Sequence, residues 1–419
     1  MSDIAGGLRL RPSFGRVLRD KDFRLLWASG ALDNTCRWMD TVVMGWLVLE
    51  ITDSAWQVAL LFVMRWVPML GFAMFAGMVA DQANRWLIMA AARCATVLVT
   101  VAILGLVIAD AVQPWHLLLA SLGLGWIYVL EFPSRRSFIY DMVGGRLIVS
   151  AMSLETISST IGRLIGPLAA GLLIELSGFT GTYIFLVTGY LLALGSIALI
   201  KTRLARASTA SRSIWQNVVD GIGYSLGNRV IRGVLAVTLI MNALAFSTES
   251  LFPVVARDHL HVGAGLAGVM ISAPAIGSLS AATAIAWLGI VKYHGQVFCV
   301  GITLQLLGLL LFALSPWYSL SFVMLLLAGL GSAGFSTMQS TIILMSAAPS
   351  MRGTALGVLG QCIGVAALGG LLVGAMADYF NANVAVAISA LMGLLLLIPV
   401  FALSPLARRP VPAGEEHST

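Results

Sequence analysis

Apolar stretches of about 20 residues recur along this chain between short polar segments, and that is the length a helix needs to cross a hydrocarbon layer about 30 Å thick. Twelve runs stand out, at 23–49, 55–80, 86–109, 115–140, 149–176, 180–200, 231–255, 264–288, 296–314, 318–345, 353–376 and 384–403. Helices apolar on nearly every face belong in a membrane, so the pattern predicts an all-α membrane protein with twelve transmembrane helices. The longest internal polar segment, 201–230, parts the first six runs from the last six. The expected organisation is an N-terminal segment 1–22, a six-helix block 23–200, a linker 201–230, a second six-helix block 231–404 and a tail 405–419. Within the linker, Ile214, Trp215, Val218, Val219 and Ile222 recur at helical spacing, which predicts an amphipathic helix on the membrane surface. The blocks also echo each other: Gly166, Gly171 and Glu175 are matched at a constant offset by Gly369, Gly374 and Asp378. An internal duplication of this kind places a transporter's binding site at the interface of its repeats.

Composition agrees with the pattern. Hydrophobic residues make up 59% and charged residues 11%, with a mean hydropathy of +0.93, against about 25% charged residues in soluble domains. The net charge of +6 would fit nucleic acid, but the placement of the bases argues against it. Arg9, Arg11, Arg16, Arg19, Lys21 and Arg24 precede or open the first run, and Lys201, Arg203, Arg206, Arg212, Arg229 and Arg232 fill the central loop. Arg85, Arg135, Arg136, Arg146, Lys292, Arg352, Arg408 and Arg409 fall in loops of the same side, while Arg257 is on the other. By the positive-inside rule both termini and the central loop are expected in the cytoplasm. The first run is too long for a cleavable leader, so none is expected. Cys36, Cys94, Cys299 and Cys362 lie within runs, lack metal-ligand spacing and read as small packing residues.

Charges inside apolar runs narrow the chemistry. Asp33, Arg37 and Asp40 are spaced by four and three residues, which places them within about 60° on one helix face, and Arg37 lies roughly 20 Å along the helix from Phe23. Each such charge costs about 2.5 to 3.5 kcal/mol at mid-membrane, so the stripe is expected to face a water-accessible cavity. Two readings of it stand. Either Arg37 fixes the packing by neutralising the aspartates, or, since one arginine cannot neutralise two carboxylates, one of Asp33 and Asp40 binds a proton reversibly. Glu131 and Glu249 are further intramembrane acids that need a partner elsewhere or a proton, and Arg65 and Arg163 are available bases. Asn242, Gln339 and Gln361 add neutral polar groups that either line a pocket or bridge helices.

Several motifs point to one family. The hairpin Gly77-Met78-Val79-Ala80-Asp81-Gln82-Ala83-Asn84-Arg85 resembles the signature between the second and third helices of the major facilitator superfamily, with Asn84, which tolerates a left-handed turn, in place of a glycine. The segment Gly162-Arg163-Leu164-Ile165-Gly166-Pro167-Leu168-Ala169-Ala170-Gly171 resembles the family's antiporter motif, which marks exporters more than importers; Ala170 stands where that motif has a glycine. Physically, Gly162 and Gly166 provide a flat face for a neighbouring helix, and Pro167 permits a kink. Glu131-Phe132-Pro133-Ser134-Arg135-Arg136-Ser137-Phe138-Ile139-Tyr140-Asp141 resembles a segment of a bacterial exporter branch of siderophore and macrolide efflux proteins, as do Arg65-Trp66-Val67-Pro68 and Arg352-Gly353.

The resemblance implies the major facilitator fold, two pseudo-symmetric six-helix bundles with the first, fourth, seventh and tenth helices lining a central cavity. It thereby implies Asp33, Arg37, Asp40, Glu131, Glu249 and Gln339 as pocket residues. It also implies a cytoplasmic latch of Gly77, Asp81, Arg85 and Asp141, with Asp81 facing the start of the eleventh helix. Plain helix capping is the alternative for that set. The expected function is proton-coupled export of a small organic molecule, such as a drug, siderophore or metabolite, across a bacterial inner membrane by alternating access. A nutrient importer or a non-transporting sensor or assembly partner are the rivals. The expected partners are cargo, protons and the lipid bilayer, for a monomer with no nucleic acid. No Walker loop, metal cluster or nucleophile elbow is present, so neither enzymatic activity nor a cofactor is expected.

Overall fold

Asp20 opens the first long helix: its carboxylate accepts hydrogen bonds from the Asp22 and Phe23 backbone N–H groups at 2.8 and 3.2 Å, satisfying donors that a helix start leaves free. The helix it starts, α1 (Lys21–Thr52), ends at Asp53 in the left-handed conformation, φ 52°. The computed structural model describes residues 14–82, 84–201, 222–288, 294–348, 351–404 and 406, and no strand occurs among them. α2 (Ala55–Gln82) and α3 (Arg85–Ile108) follow. Next comes α4 (Pro114–Ala198), one helical run that departs from helical geometry at Gly144 (φ 69°) and Gly178 (φ 63°), backbone values that glycine adopts without strain. Its arms are α4a (Pro114–Gly144), α4b (145–177) and α4c (179–198). The C-terminal half comprises α5 (Arg229–Leu244), α6 (Ala264–Leu288), α7 (His294–Ala313), α8 (Tyr318–Ser346), α9 (Arg352–Gly364), α10 (Ala366–Tyr379) and α11 (Ala382–Leu403).

Ten segments of the described residues are long and apolar enough to cross a membrane, fewer than the twelve runs read from sequence. Two causes account for the difference. α1 carries Asp33, Arg37 and Asp40, which take it out of a count made on apolarity. Ser150–Ala198 counts as one 49-residue segment, although at 1.5 Å per residue it is about 74 Å long, more than two bilayer cores, and Gly178 breaks it.

The run expected at 231–255 is not one regular helix. After Leu244 the chain passes into a 3₁₀ helix, Phe246–Leu251, and ends in a π turn, Val255–His259. Such departures recur at functional positions, and this one carries Glu249. The hairpin also differs from expectation. Asn84 is extended, φ −71°, and acts as the N-cap of α3, its side-chain oxygen accepting from Leu87 N–H at 3.2 Å. The linker positions Ile214 to Val219 lie outside the described residues, as do the side chains of Gly77 and Asp81.

Small residues set the helix contacts. A Cβ at Gly166 would lie 2.7 Å from Trp38 Cβ of α1, and a Cβ at Gly171 would strike the Ala264 carbonyl of α6. The offset-matched positions make matching contacts: Gly369 meets Ala243 of α5, and Gly374 meets Ala59 and Trp56 of α2. The first glycine of each pair therefore packs on the first helix of its own half, and the second on the second helix of the other half.

Candidate functional site

The charged residues of the spans fall into discrete ion pairs that cross between helices. Arg93 of α3 donates through Nη1 to Asp33 of α1 and through Nη2 to Glu131 of α4a. All three are largely buried, with side-chain exposures of 3% for Arg93, 13% for Asp33 and 7% for Glu131. One guanidinium thus serves two carboxylates. Each partner comes from a different helix, so the charge set assembles only when α1, α3 and α4a pack together.

Asp40 does not share this centre. Its Oδ2 accepts from Arg65 Nη2 of α2 at 2.6 Å, and Arg65 Nη1 reaches Thr41 Oγ1 at 2.9 Å. Asp40 is 1% exposed, and its other oxygen, Oδ1, has no hydrogen-bond partner among the described residues. Arg37, read from sequence as one possible counter-charge for both aspartates, is in ion-pair contact with neither. Its Nη2 donates to Asn34 Oδ1 at 2.6 Å, and its guanidinium carbon stands 4.4 Å from the centre of the Tyr128 ring.

Glu249 and Arg163 meet across the two halves at 2.5 Å. Trp38 lies against the same arginine, with 5.0 Å between the guanidinium carbon and the ring centre. The pair borders a small cleft, about 10 Å³ and room for roughly one water, that Gln305 and Ser332 also line. Gln339 is placed elsewhere: buried, it donates from Nε2 to Thr238 Oγ1 at 2.7 Å and so ties α8 to α5. The six residues expected in one pocket therefore separate into the Arg93 centre, the Arg65 pair, the Arg37–Tyr128 contact, the Arg163–Glu249 cleft and the Gln339 bridge.

Arg93 escaped the sequence reading although it carried a usable signal. An arginine in the middle of the 86–109 run is as costly as those on α1, and its burial demands a carboxylate. Arg135 is a second case. Expected as a loop base, it is buried, bonds Glu155 at 2.7 Å and caps the Leu26 carbonyl at 2.8 Å, passing over Gly30, whose missing Cβ leaves space for the guanidinium.

At the end carrying the basic loops, Arg85 pairs with Asp141, linking the start of α3 to the end of α4a. Two contacts bind the halves at the opposite end. Arg257 pairs with Asp53 and donates to the Leu49 carbonyl at 3.0 Å, and Gly265 N–H donates to Glu175 Oε1 at 2.8 Å. Gly171, and Gly268 beside the Pro167 carbonyl, bring α4b and α6 together along the same seam. Among the described residues no group of three or more His, Cys, Asp or Glu could hold a metal ion.

Known proteins share this architecture. A staphyloferrin A transporter of Staphylococcus aureus is 23% identical over 347 residues, 82% of this chain and 86% of its own. The enterobactin exporter EntS of Shigella boydii is 26% identical over 333 residues, 77% of this chain and 78% of its own. Among solved structures, a bacterial homologue of the human lysosomal transporter Spinster superposes with a TM-score of 0.69 at 17% identity, covering 94% of this chain and 98% of that one. A POT family transporter does so with a TM-score of 0.76 at 12% identity, covering 92% and 96%. The transmembrane secretion effector family of major facilitator proteins matches residues 15–418. This chain, a multi-pass membrane transporter and not an enzyme, belongs to that family.

Proposed function

We propose that the protein is a secondary active transporter of a bacterial inner membrane that exports a small organic molecule against inward proton movement. The reading takes the chain as twelve transmembrane helices, counting α1 and both arms of Ser150–Ala198, in two pseudo-symmetric bundles at 23–200 and 231–404. Matched contacts at Gly166 and Gly369, and at Gly171 and Gly374, support the duplication. Both termini lie in the cytoplasm on this reading, and one copy suffices.

The observation that carries it is the sharing of Arg93 by Asp33 and Glu131. Two carboxylates share the charge of one bonded guanidinium in a low-dielectric interior, with Arg37 acting on both at longer range, so a proton on either carboxylate is the smallest change that resets the balance of the centre. Protonation of this centre favours one orientation of the halves and cargo favours the other, so both bias one two-state equilibrium. The Arg257–Asp53 and Glu175–Gly265 contacts fit the state closed away from the cytoplasm; the Arg85–Asp141 pair, formed here within one half, completes a latch with Gly77 and Asp81 in the opposite state on this reading. The enterobactin exporter and the staphyloferrin A transporter favour a siderophore or comparable small organic molecule as cargo.

The test is a cargo panel in everted vesicles with an imposed pH gradient. Accumulation that collapses with the gradient is expected. Cargo moving the other way in intact cells assigns import, and absence of any gradient-dependent flux across the panel removes the proton-coupled reading.

A further inference from the structure

We propose that Arg37, lying over Tyr128, is the subsite that takes the anionic group of a planar organic cargo. The inference rests on the transporter reading above and adds the chemical class of the ligand.

Among the described residues, the other buried or half-buried arginines of the first four helices each have a carboxylate: Asp40 for Arg65, Asp141 for Arg85, Asp33 and Glu131 for Arg93, Glu155 for Arg135, and Glu249 for Arg163. Arg37 has none within ion-pair distance. Its direct contacts, Asn34 Oδ1 and the Tyr128 ring, are uncharged, and Asp33 and Glu131, both bonded to Arg93, act on it only from beyond ion-pair distance. A mid-membrane guanidinium so placed retains donors and charge that a carboxylate satisfies in a bidentate manner.

The surroundings are open on that side. Thr41, one turn further along α1, is exposed, and Arg37 and Tyr128 are half-buried. Polar residues exposed at this depth face an aqueous opening and not acyl chains. Rings continue from the same point. Tyr128 stands 6.5 Å from Trp66 and 5.5 Å from Phe132, and Trp66 stands 6.0 Å from Phe62. Arg136 lies 4.2 Å over Phe132, toward the basic-loop end. An aromatic ladder flanked by two guanidiniums suits a molecule with a flat apolar body and a negative group, since rings stack on rings and the charge is left for arginine.

The experiment measures binding of 2-naphthoate and its neutral amide to purified full-length protein in nanodiscs, by tryptophan fluorescence and thermal shift. Wild type is expected to bind the carboxylate at least tenfold more tightly than the amide, with Arg37→Gln abolishing the preference and Arg37→Lys retaining part of it. Tyr128→Leu is expected to weaken both probes several-fold. Equal binding of the two probes to wild type, no binding of either, or a preference that survives Arg37→Gln overturns the proposal. If Arg37→Gln does not fold, Arg37→Lys decides: a preference reduced but present supports the subsite, and one unchanged or absent overturns it. Binding with the expected preference but without flux in proteoliposomes sinks the transport reading and leaves the subsite standing.

Discussion

Arg163 Nη2 and Glu249 Oε1 lie 2.5 Å apart although 86 residues separate them, and their contact joins α4b of one half to the 3₁₀ segment of the other. Both side chains keep partial solvent access, 29% and 23%, so the pair contributes only about 1 kcal/mol to stability. Its weight falls on the relation between the halves. Glu249→Gln is expected to lower transport at least tenfold with a melting temperature within a few degrees of wild type. The charge-swapped double variant, Arg163→Glu with Glu249→Arg, is expected to recover part of the rate; no recovery argues against direct pairing.

The Arg93 centre behaves differently because it is buried. Arg93→Leu strands two carboxylates, and breaking a buried pair this way costs about 3 to 5 kcal/mol. A large drop in thermal stability in detergent is the expected result. Glu131→Gln leaves the Arg93–Asp33 pair intact, so the protein is expected to fold, to exchange cargo at equilibrium, and to lose accumulation driven by a pH gradient. Gradient-driven accumulation at the wild-type level removes Glu131 from proton coupling.

Contacts at the end away from the basic loops are expected to hold one orientation. Removing both Arg257 and Glu175 side chains by Ala substitution takes away the Asp53 and Gly265 contacts together. In a background without native cysteines, a Thr41→Cys reporter is then expected to react several-fold faster with an impermeant maleimide applied from that end. Unchanged labelling shows that the seam does not depend on these residues.

Gly166 and Gly171 separate two roles within one motif. Gly166 packs on α1 of its own half, so Gly166→Val is expected to destabilise folding by about 1 to 3 kcal/mol, the usual cost of overpacking. Gly171 packs on α6 across the seam. Gly171→Val is expected to spare the melting temperature more and reduce transport further, measured on the same preparations.

Hydropathy made the spans legible because each buried apolar surface leaves its record in neighbouring residues. Partnership leaves no such record. Asp33, Arg37 and Asp40 share one face of α1, which spacing revealed, but their partners come from α3, α2 and α4a, and no periodicity within α1 encodes those. The expected competition of Asp33 and Asp40 for Arg37 does not occur, because Arg93 bonds Asp33 and Arg65 bonds Asp40. Gln339 took the bridging option left open at the outset, because Thr238 offered a hydroxyl within reach inside an otherwise apolar contact. The break after Leu244 was hidden for another reason: Ala245, Phe246 and Ser247 read as ordinary helix, whereas in the structure the Ser247 and Thr248 hydroxyls donate to the Ala243 and Ala245 carbonyls beside the 3₁₀ turn.

The arginine shared between α1 and α4a also bears on biogenesis. When α3 leaves the ribosome, its guanidinium faces an insertion cost of about 2.5 to 3.5 kcal/mol, and Asp33 has already been made while Glu131 has not. Of its two acid partners, Asp33 of α1 is the one in place to offset that charge until α4a is made. The second acid arrives last, with α4a, so the full centre of two acids on one guanidinium comes together only once three helices are there to shelter it.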